Sequence, residues 1–199
     1  MPVICGLLTG AKFKLISKKP VAIWAGVLTP VSLAAIQIAT GFFVHKAMTM
    51  IIAATGHRPD KLGGYGVGAK IKLGRLATEY LVIAKPEAVI VGMAQGWDQA
   101  VGFAAVRLGI TVHAAVPFEG QESHWPPEAQ GEYRSLLACC ASITVVFPGG
   151  YCAYAMQLRN EWMVDRCNQL MAMWDGSPGG TANCIKYATK RGVPVVNLI

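Results

Sequence analysis

The chain has 199 residues, is 53% hydrophobic with a mean hydropathy of +0.41, and carries a formal charge of +7. That charge divides as +5 over residues 1–50, which hold five lysines and no acid, and +2 over the rest, so the basic pI of about 9.2 is no sign of a nucleic-acid surface after residue 50. Six cysteines show no C-x-x-C pair and no Cys/His ligand spacing, and they fit scattered small apolar side chains in a reducing, cytoplasmic setting.

In chain order, the first feature is Val21 to Val44, uncharged throughout and preceded by Lys12, Lys14, Lys18 and Lys19. At about 1.5 Å per residue such a stretch is long enough to span a bilayer. Lys46, Arg58 and Lys61 follow it closely and weaken the flanking charge bias, while Pro30, Thr29, Ser32 and Gln37 interrupt a signal-peptide core. The favoured reading of residues 1–49 is a hydrophobic, basic extension upstream of the working domain, with a start at Met48 or Met50. A membrane anchor through residues 21–44 and a cleaved signal peptide are the alternatives.

From residue 50 to 199, short apolar runs alternate with helical patterns. Strands are expected at Ile51–Ala54, Ala88–Val91, Thr111–Ala115, Ser142–Val146, Gln169–Met173 and Val193–Leu198. Helices are expected at Ala69–Ala84, Trp97–Leu108, Glu128–Cys140, Ala153–Cys167 and Thr181–Lys190. This alternation predicts one doubly wound α/β domain, a mainly parallel sheet covered by helices in three layers. Ligands in such sheets bind beyond the carboxyl ends of the strands, at the switch in strand order.

The strand-end loops therefore carry the functional argument. After the first strand come Thr55, Gly56, His57 and Arg58. Arg58 offers a planar fork for phosphate, and His57 a hydrogen bond or a proton. "GMAQGWDQA" supplies Gly92, Ala94, Gly96 and Asp98, the last placed to cap a helix, meet a ribose hydroxyl or orient a base. Trp97 would stack on a base or cover the sheet edge. "WDGSPGGTANC" supplies Asp175, Gly176, Gly179, Gly180 and Thr181: glycines that let backbone approach a ligand, and a threonine suited to cap the next helix. The N-terminus of that helix offers free N–H groups to a phosphate. Arg159 and Asn160 lie in the fourth helix, from which Arg159 would point to the sheet mouth; the alternative is an exposed amphipathic helix with Met156 and Met163 in the core. His113 reads as a packed strand histidine, and His124 lies in a long loop able to form a lid. "GGYGVG" has the wrong spacing and position for a dinucleotide fingerprint, and there is no G-x-x-x-x-G-K-[ST] run.

Taken together, "TGHRPDKLGGYG", "GMAQGWDQA", "FPGGYCAYAMQLRNEWMVDRCN" and "MWDGSPGGTANCIKYA" resemble a YpsA-like member of the SLOG superfamily. Those Rossmann-like domains are named for DNA-processing protein A and the Lonely Guy enzymes, and occur in bacteria and phages. The resemblance implies a nucleotide or nucleotide-derived ligand, ADP-ribose-like compounds included, with Gly179-Gly180-Thr181 as phosphate cradle. It also implies a sensor or regulator and a homodimer; no metal is expected, since no Cys/His ligand spacing is present. The alternatives are a nucleotide N-glycosidic or phosphate hydrolase and, on the weak charge, less readily a DNA binder. Arg159 and Asp98 are the catalytic candidates. Met156, Arg159 and Met163 match the Lonely Guy pattern M-x-x-R-K-x-x-M, but Asn160 replaces the lysine. Pro178 to Thr181 shorten P-G-G-x-G-T-x-x-E, and Cys184 stands at its glutamate. A thiol does not replace a carboxylate in stabilising an oxocarbenium-like transition state, which argues against cleavage by that route. Asp98, Asp165 and Asp175 are the substitute carboxylates.

Overall fold

The computed structural model describes residues 49–199; the apolar stretch from Val21 to Val44 lies outside them. Six parallel strands, β1 (Ile51–Gly56), β2 (Ala88–Val91), β3 (Thr111–Val116), β4 (Ser142–Val145), β5 (Gln169–Met173) and β6 (Val195–Asn197), form one sheet in the order β4-β3-β2-β1-β5-β6. Five helices alternate with them: α1 (Val67–Ala84), α2 (Trp97–Arg107), α3 (Pro127–Ala138), α4 (Ala153–Val164) and α5 (Gly180–Lys190). After β1 the chain winds outward through β2, β3 and β4, then returns across β1 to place β5 on its other side. The strand order thus reverses between β1 and β5, and a crevice opens beyond their carboxyl ends.

The two-residue side-chain period of a strand sorts the core into two layers. Ile52, Ala54, Val89, Val91, Val112 and Met171 face α1, α2 and α3, where Leu81, Trp97, Val101 and Leu136 meet them. Ala53, Ile90, Ala115 and Leu170 face the opposite way, toward Met163 and Val164 of α4 and Cys184 and Ala188 of α5. Each fully buried leucine or valine contributes about 1.5–3 kcal/mol relative to exposure. Small residues in β1, the alanines 53 and 54, let helices on both faces approach the central strand closely.

The expected boundaries shift where tertiary pairing overrides local pattern. β1 extends to Gly56 because Thr55 and Gly56 pair with Ala172 and Met173 of β5, so both belong to the strand rather than the loop. β6 shrinks to Val195–Asn197, since Pro194 has no N–H for the ladder. α1 ends at Ala84 and is capped by Lys85, in the left-handed region (φ 47°) with its N–H on the Leu81 carbonyl, just before Pro86. α4 ends at Val164, with Asp165 as its C-cap, three residues before the expected Cys167. Among the described residues no helix is long and apolar enough to cross a membrane.

Candidate functional site

The crevice at the β1/β5 switch holds a cavity of about 380 Å³. Thr55, Gly56, His57 and Arg58 form one wall from the end of β1, with Ala94 from the β2–α2 turn and Asp98 from the first turn of α2. Arg159 and Asn160 reach in from α4, and Gly179, Gly180 and Thr181 supply the start of α5. Of the residues expected at the site, Gly92, Gly96, Asp175 and Gly176 do not line the cavity. Asp60, Lys61, Tyr151, Met156 and Pro178 line it as well, which sequence reasoning missed. Asp60 and Lys61 lie only two or three residues past Arg58 in a 3-10 turn (Pro59–Lys61), so proximity to the strand end was the available signal.

The floor is a buried ion pair. Arg159 and Asp98 are 7% and 5% exposed, with Nη1 and Oδ2 3.6 Å apart. The guanidinium also donates to the Gly92 carbonyl through Nη1 and to Asn160 Oδ1 through Nε at 3.0 Å. Burial pushes the Asp98 carboxyl up and the Arg159 guanidinium down, and each charge pulls the other back toward ionisation. Asp98 is not the helix cap that sequence suggests: Gly96 occupies that position, and the Asp98 carboxylate instead accepts from the Ala94 N–H at 3.4 Å. The turn is tight enough that Met93 adopts φ 61°, a conformation that costs a non-glycine residue about 1–3 kcal/mol. A Cβ on Gly92 would meet the Arg159 guanidinium and stand 2.7 Å from Asp98 Oδ2, so this glycine serves the ion pair from beneath.

The phosphate-type cradle is the α5 N-terminus. Gly179 caps it at φ 146°, ψ −166°, a backbone that L side chains rarely adopt, and the Asn183 N–H bonds back to its carbonyl at 3.0 Å. That leaves the preceding N–H groups of the first turn without helical acceptors, beside the cavity. Thr181, expected as the cap, lies inside the helix and is buried. Arg58 takes part in no ion pair among the described residues and adds an available positive charge.

Across the rim, His57 bridges β1 to the β5 loop. Its Nε2 lies 2.6 Å from Asp175 Oδ1 and 3.2 Å from the Asp175 N–H. One ring nitrogen cannot both donate and accept; the shorter, charge-assisted contact assigns the proton to Nε2. Hydrogen bonds from Ser177, then from His57, hold the Asp175 carboxyl well below the usual carboxylate range. A depressed carboxylate stabilises the fold above its unfolded pKa, and that contribution fades as pH falls through the folded value. Asp175→Asn is therefore expected to lower Tm near neutral pH, with the gap to wild type closing below about pH 4. Because Asp175 is 40% exposed, screening keeps the effect small. Thermal unfolding of both proteins across that range checks this; a gap independent of pH would refute it.

Other expected residues lie elsewhere. Trp97 neither stacks in the cavity nor covers an edge: it is fully buried, with its indole N–H directed at the Met171 carbonyl. Gly96 (φ 96°) and His124 line a separate cavity of about 930 Å³ between α1, α2 and the start of α3. The loop carrying His124 is pinned rather than lid-like, since Trp125 packs edge-on against Tyr133 and its carbonyl accepts from Gln130. His113 is half-buried and bonds Ser142 across β3 and β4 at 2.7 Å. Cys184 is fully buried beneath Thr55, and burial pushes its thiol up to about 12. The position that the Lonely Guy pattern gives to glutamate therefore lies in the core, outside the cavity wall.

No protein-family model matches the chain. It is 33% identical over 87 residues to an uncharacterized SPbeta prophage-derived protein, YoqJ, of Bacillus subtilis (strain 168), a match covering 38% of this chain and 51% of that protein. The fold is shared with DNA processing protein A of Streptococcus pneumoniae, at a TM-score of 0.57 and 15% identity over 74% of this chain and 50% of that one. It is likewise shared with DNA processing protein A of Helicobacter pylori, described for its single-stranded DNA binding mode, at a TM-score of 0.56 and 15% identity over 75% of this chain and 65% of that one. The chain thus spans about half the length of YoqJ and of the S. pneumoniae protein, and under two thirds of the H. pylori protein.

Proposed function

We propose that residues 50–199 form a YpsA-like domain of the SLOG superfamily that binds a nucleotide or nucleotide-derived ligand and acts as a sensor or regulator. The observation that carries this reading is the convergence, at the switch in strand order, of the α5 N-terminus with Arg58, Lys61 and Arg159 around one cavity of about 380 Å³. A phosphate seated at Gly179–Thr181 would meet free backbone N–H groups and Arg58 together.

Binding without cleavage is favoured by the state of the carboxylates. The acids lining the cavity are Asp98, engaged by Arg159, and Asp60, which accepts from the Tyr65 hydroxyl at 2.7 Å. Asp175 is held by His57 and Ser177 outside the lining, and Cys184 is buried. Glycosidic hydrolysis needs a carboxyl group free to donate or accept a proton at the scissile bond. Single-stranded DNA binding, the mode described for the H. pylori protein, is disfavoured by the charge of only +2 after residue 50.

Thermal unfolding of the full chain against nucleoside mono-, di- and triphosphates, NAD, ADP-ribose, cyclic nucleotides and a single-stranded oligonucleotide tests the reading. A ligand at 100 times its Kd adds about 2.7 kcal/mol, a rise in Tm of several degrees. The expected result is such a shift for one nucleotide class, lost in Arg58→Ala, with no turnover of the ligand. A shift with the oligonucleotide alone would support the DNA reading, and turnover of a bound nucleotide would support the hydrolase.

A further inference from the structure

A second cavity, of about 630 Å³, adjoins the first and runs along α4 and α5. Tyr151, Met156, Asn160 and Gly180 line both, so the phosphate cradle opens directly into it. Its far end carries Lys186 and Lys190, both exposed and four residues apart on one face of α5. Among the described residues neither lysine takes part in an ion pair. No acid lines this cavity, and the nearby carboxylates are occupied. Asp165 accepts from the Tyr187 hydroxyl and from Arg191, and Glu161 accepts from Gln157.

Two like charges at this spacing disfavour a helix by a few tenths of a kcal/mol. Lys190 gains from the helix dipole at the last turn, but that gain does not reach Lys186. At 1.5 Å per residue the two Cα atoms lie about 9 and about 15 Å beyond Gly180 along the axis, and helical side chains lean back toward the N-terminus. The ammonium groups thus approach the cradle from one side. On the wall that the two cavities share, Tyr151 is 77% exposed, with Phe118 edge-on to its ring at 5.8 Å. An aromatic face of this kind stacks a base with little regard to its identity.

The geometry points to a ligand with two separated phosphate groups: a nucleoside bisphosphate or dinucleotide whose first phosphate sits at Gly179–Thr181, whose base meets Tyr151, and whose second phosphate is held by Lys186 and Lys190. This inference rests on the nucleotide-binding reading and narrows it to a class that a nucleoside monophosphate does not satisfy. A long single strand is the less suitable occupant, because the charge of +2 after residue 50 offers little to track further phosphates.

The test is equilibrium binding to the full chain of nucleoside 5′-monophosphates, the matching 3′,5′-bisphosphates, 5′-phosphorylated dinucleotides and a 5′-phosphorylated oligonucleotide, with wild type, the double variant K186Q/K190Q and Arg58→Ala. Two-phosphate ligands are expected to bind wild type about tenfold more tightly than monophosphates. K186Q/K190Q should erase that advantage and leave monophosphate affinity within about twofold, whereas Arg58→Ala should weaken every ligand. Equal affinity of mono- and bisphosphates, or an equal loss of both in K186Q/K190Q, overturns the two-phosphate inference while the nucleotide site stands. Tighter binding of the oligonucleotide than of the dinucleotide, with a steep salt dependence, overturns the commitment to a small ligand. If no nucleotide binds, both the site reading and this inference fall.

Discussion

Asp98→Ala should destabilise the fold by about 3–5 kcal/mol, the cost of leaving a buried charge without its partner. The partner is Arg159, 7% exposed, whose remaining bonds to Gly92 and Asn160 are to neutral groups. Arg159→Ala should cost a similar amount, because Asp98 would keep only backbone N–H groups, Ala94's at 3.4 Å among them, and be pushed toward protonation by burial. Replacing both at once, Asp98→Leu with Arg159→Met, should recover most of the loss, since apolar side chains of comparable size remove the desolvation penalty along with the attraction. Urea unfolding ranks these proteins, and the cycle of wild type, Asp98→Leu, Arg159→Met and the two together measures the coupling directly. Single variants within about 1 kcal/mol of wild type would show that water reaches the pair and that the cavity floor is solvated. The double variant would also lack a cation that lines the cavity, so restored stability with lost ligand binding is the expected signature of a residue pair serving both fold and site.

Gly56→Ala is the second large effect. Gly56 ends β1 in register with Met173, and a Cβ there would enter the Trp97 side chain, 2.7 Å from Cγ and 2.8 Å from Cδ1. Trp97 is fully buried, so it has no open space into which to turn. Overpacking of this kind costs about 1–3 kcal/mol, and the upper part of that range applies because the obstacle is a rigid ring close to its backbone. The strain would pass to the site, since Trp97 opens α2 and the next residue is Asp98. Gly68→Ala supplies the contrast: it lies in the first turn of α1 with nothing within 4 Å of the new methyl, and should stabilise by about 0.5 kcal/mol. Thermal and urea unfolding of the two variants compare them. Equal effects would mean that Trp97 repacks freely and that Gly56 has no steric role.

Much of this was legible in the chain itself. Apolar runs punctuated by glycine and proline located the strands and helices of residues 51–198 to within a few residues, because strand and helix periods are local properties. Polar residues and glycines gathered after the strands marked the mouth of the sheet, and Thr55, His57, Arg58, Asp98, Arg159 and Gly179 to Thr181 all line the cavity there. Strand order was not legible: β1 pairs with β5 across more than a hundred residues, and only the packing of helices on both faces decides which strands adjoin. The roles of individual side chains were decided at the same level. Trp97 reads as a ligand platform until Gly56 is seen to leave room for it in the core, and Cys184 reads as a site position until α5 turns it beneath Thr55. Asp98 and Arg159 read as two separate candidates until they are found 3.6 Å apart and both more than nine-tenths buried, so that each charge offsets the desolvation of the other. Local sequence determines which segments are helix or strand and which residues flank them; which charges meet, and which are buried when they do, depends on contacts that only the folded chain makes.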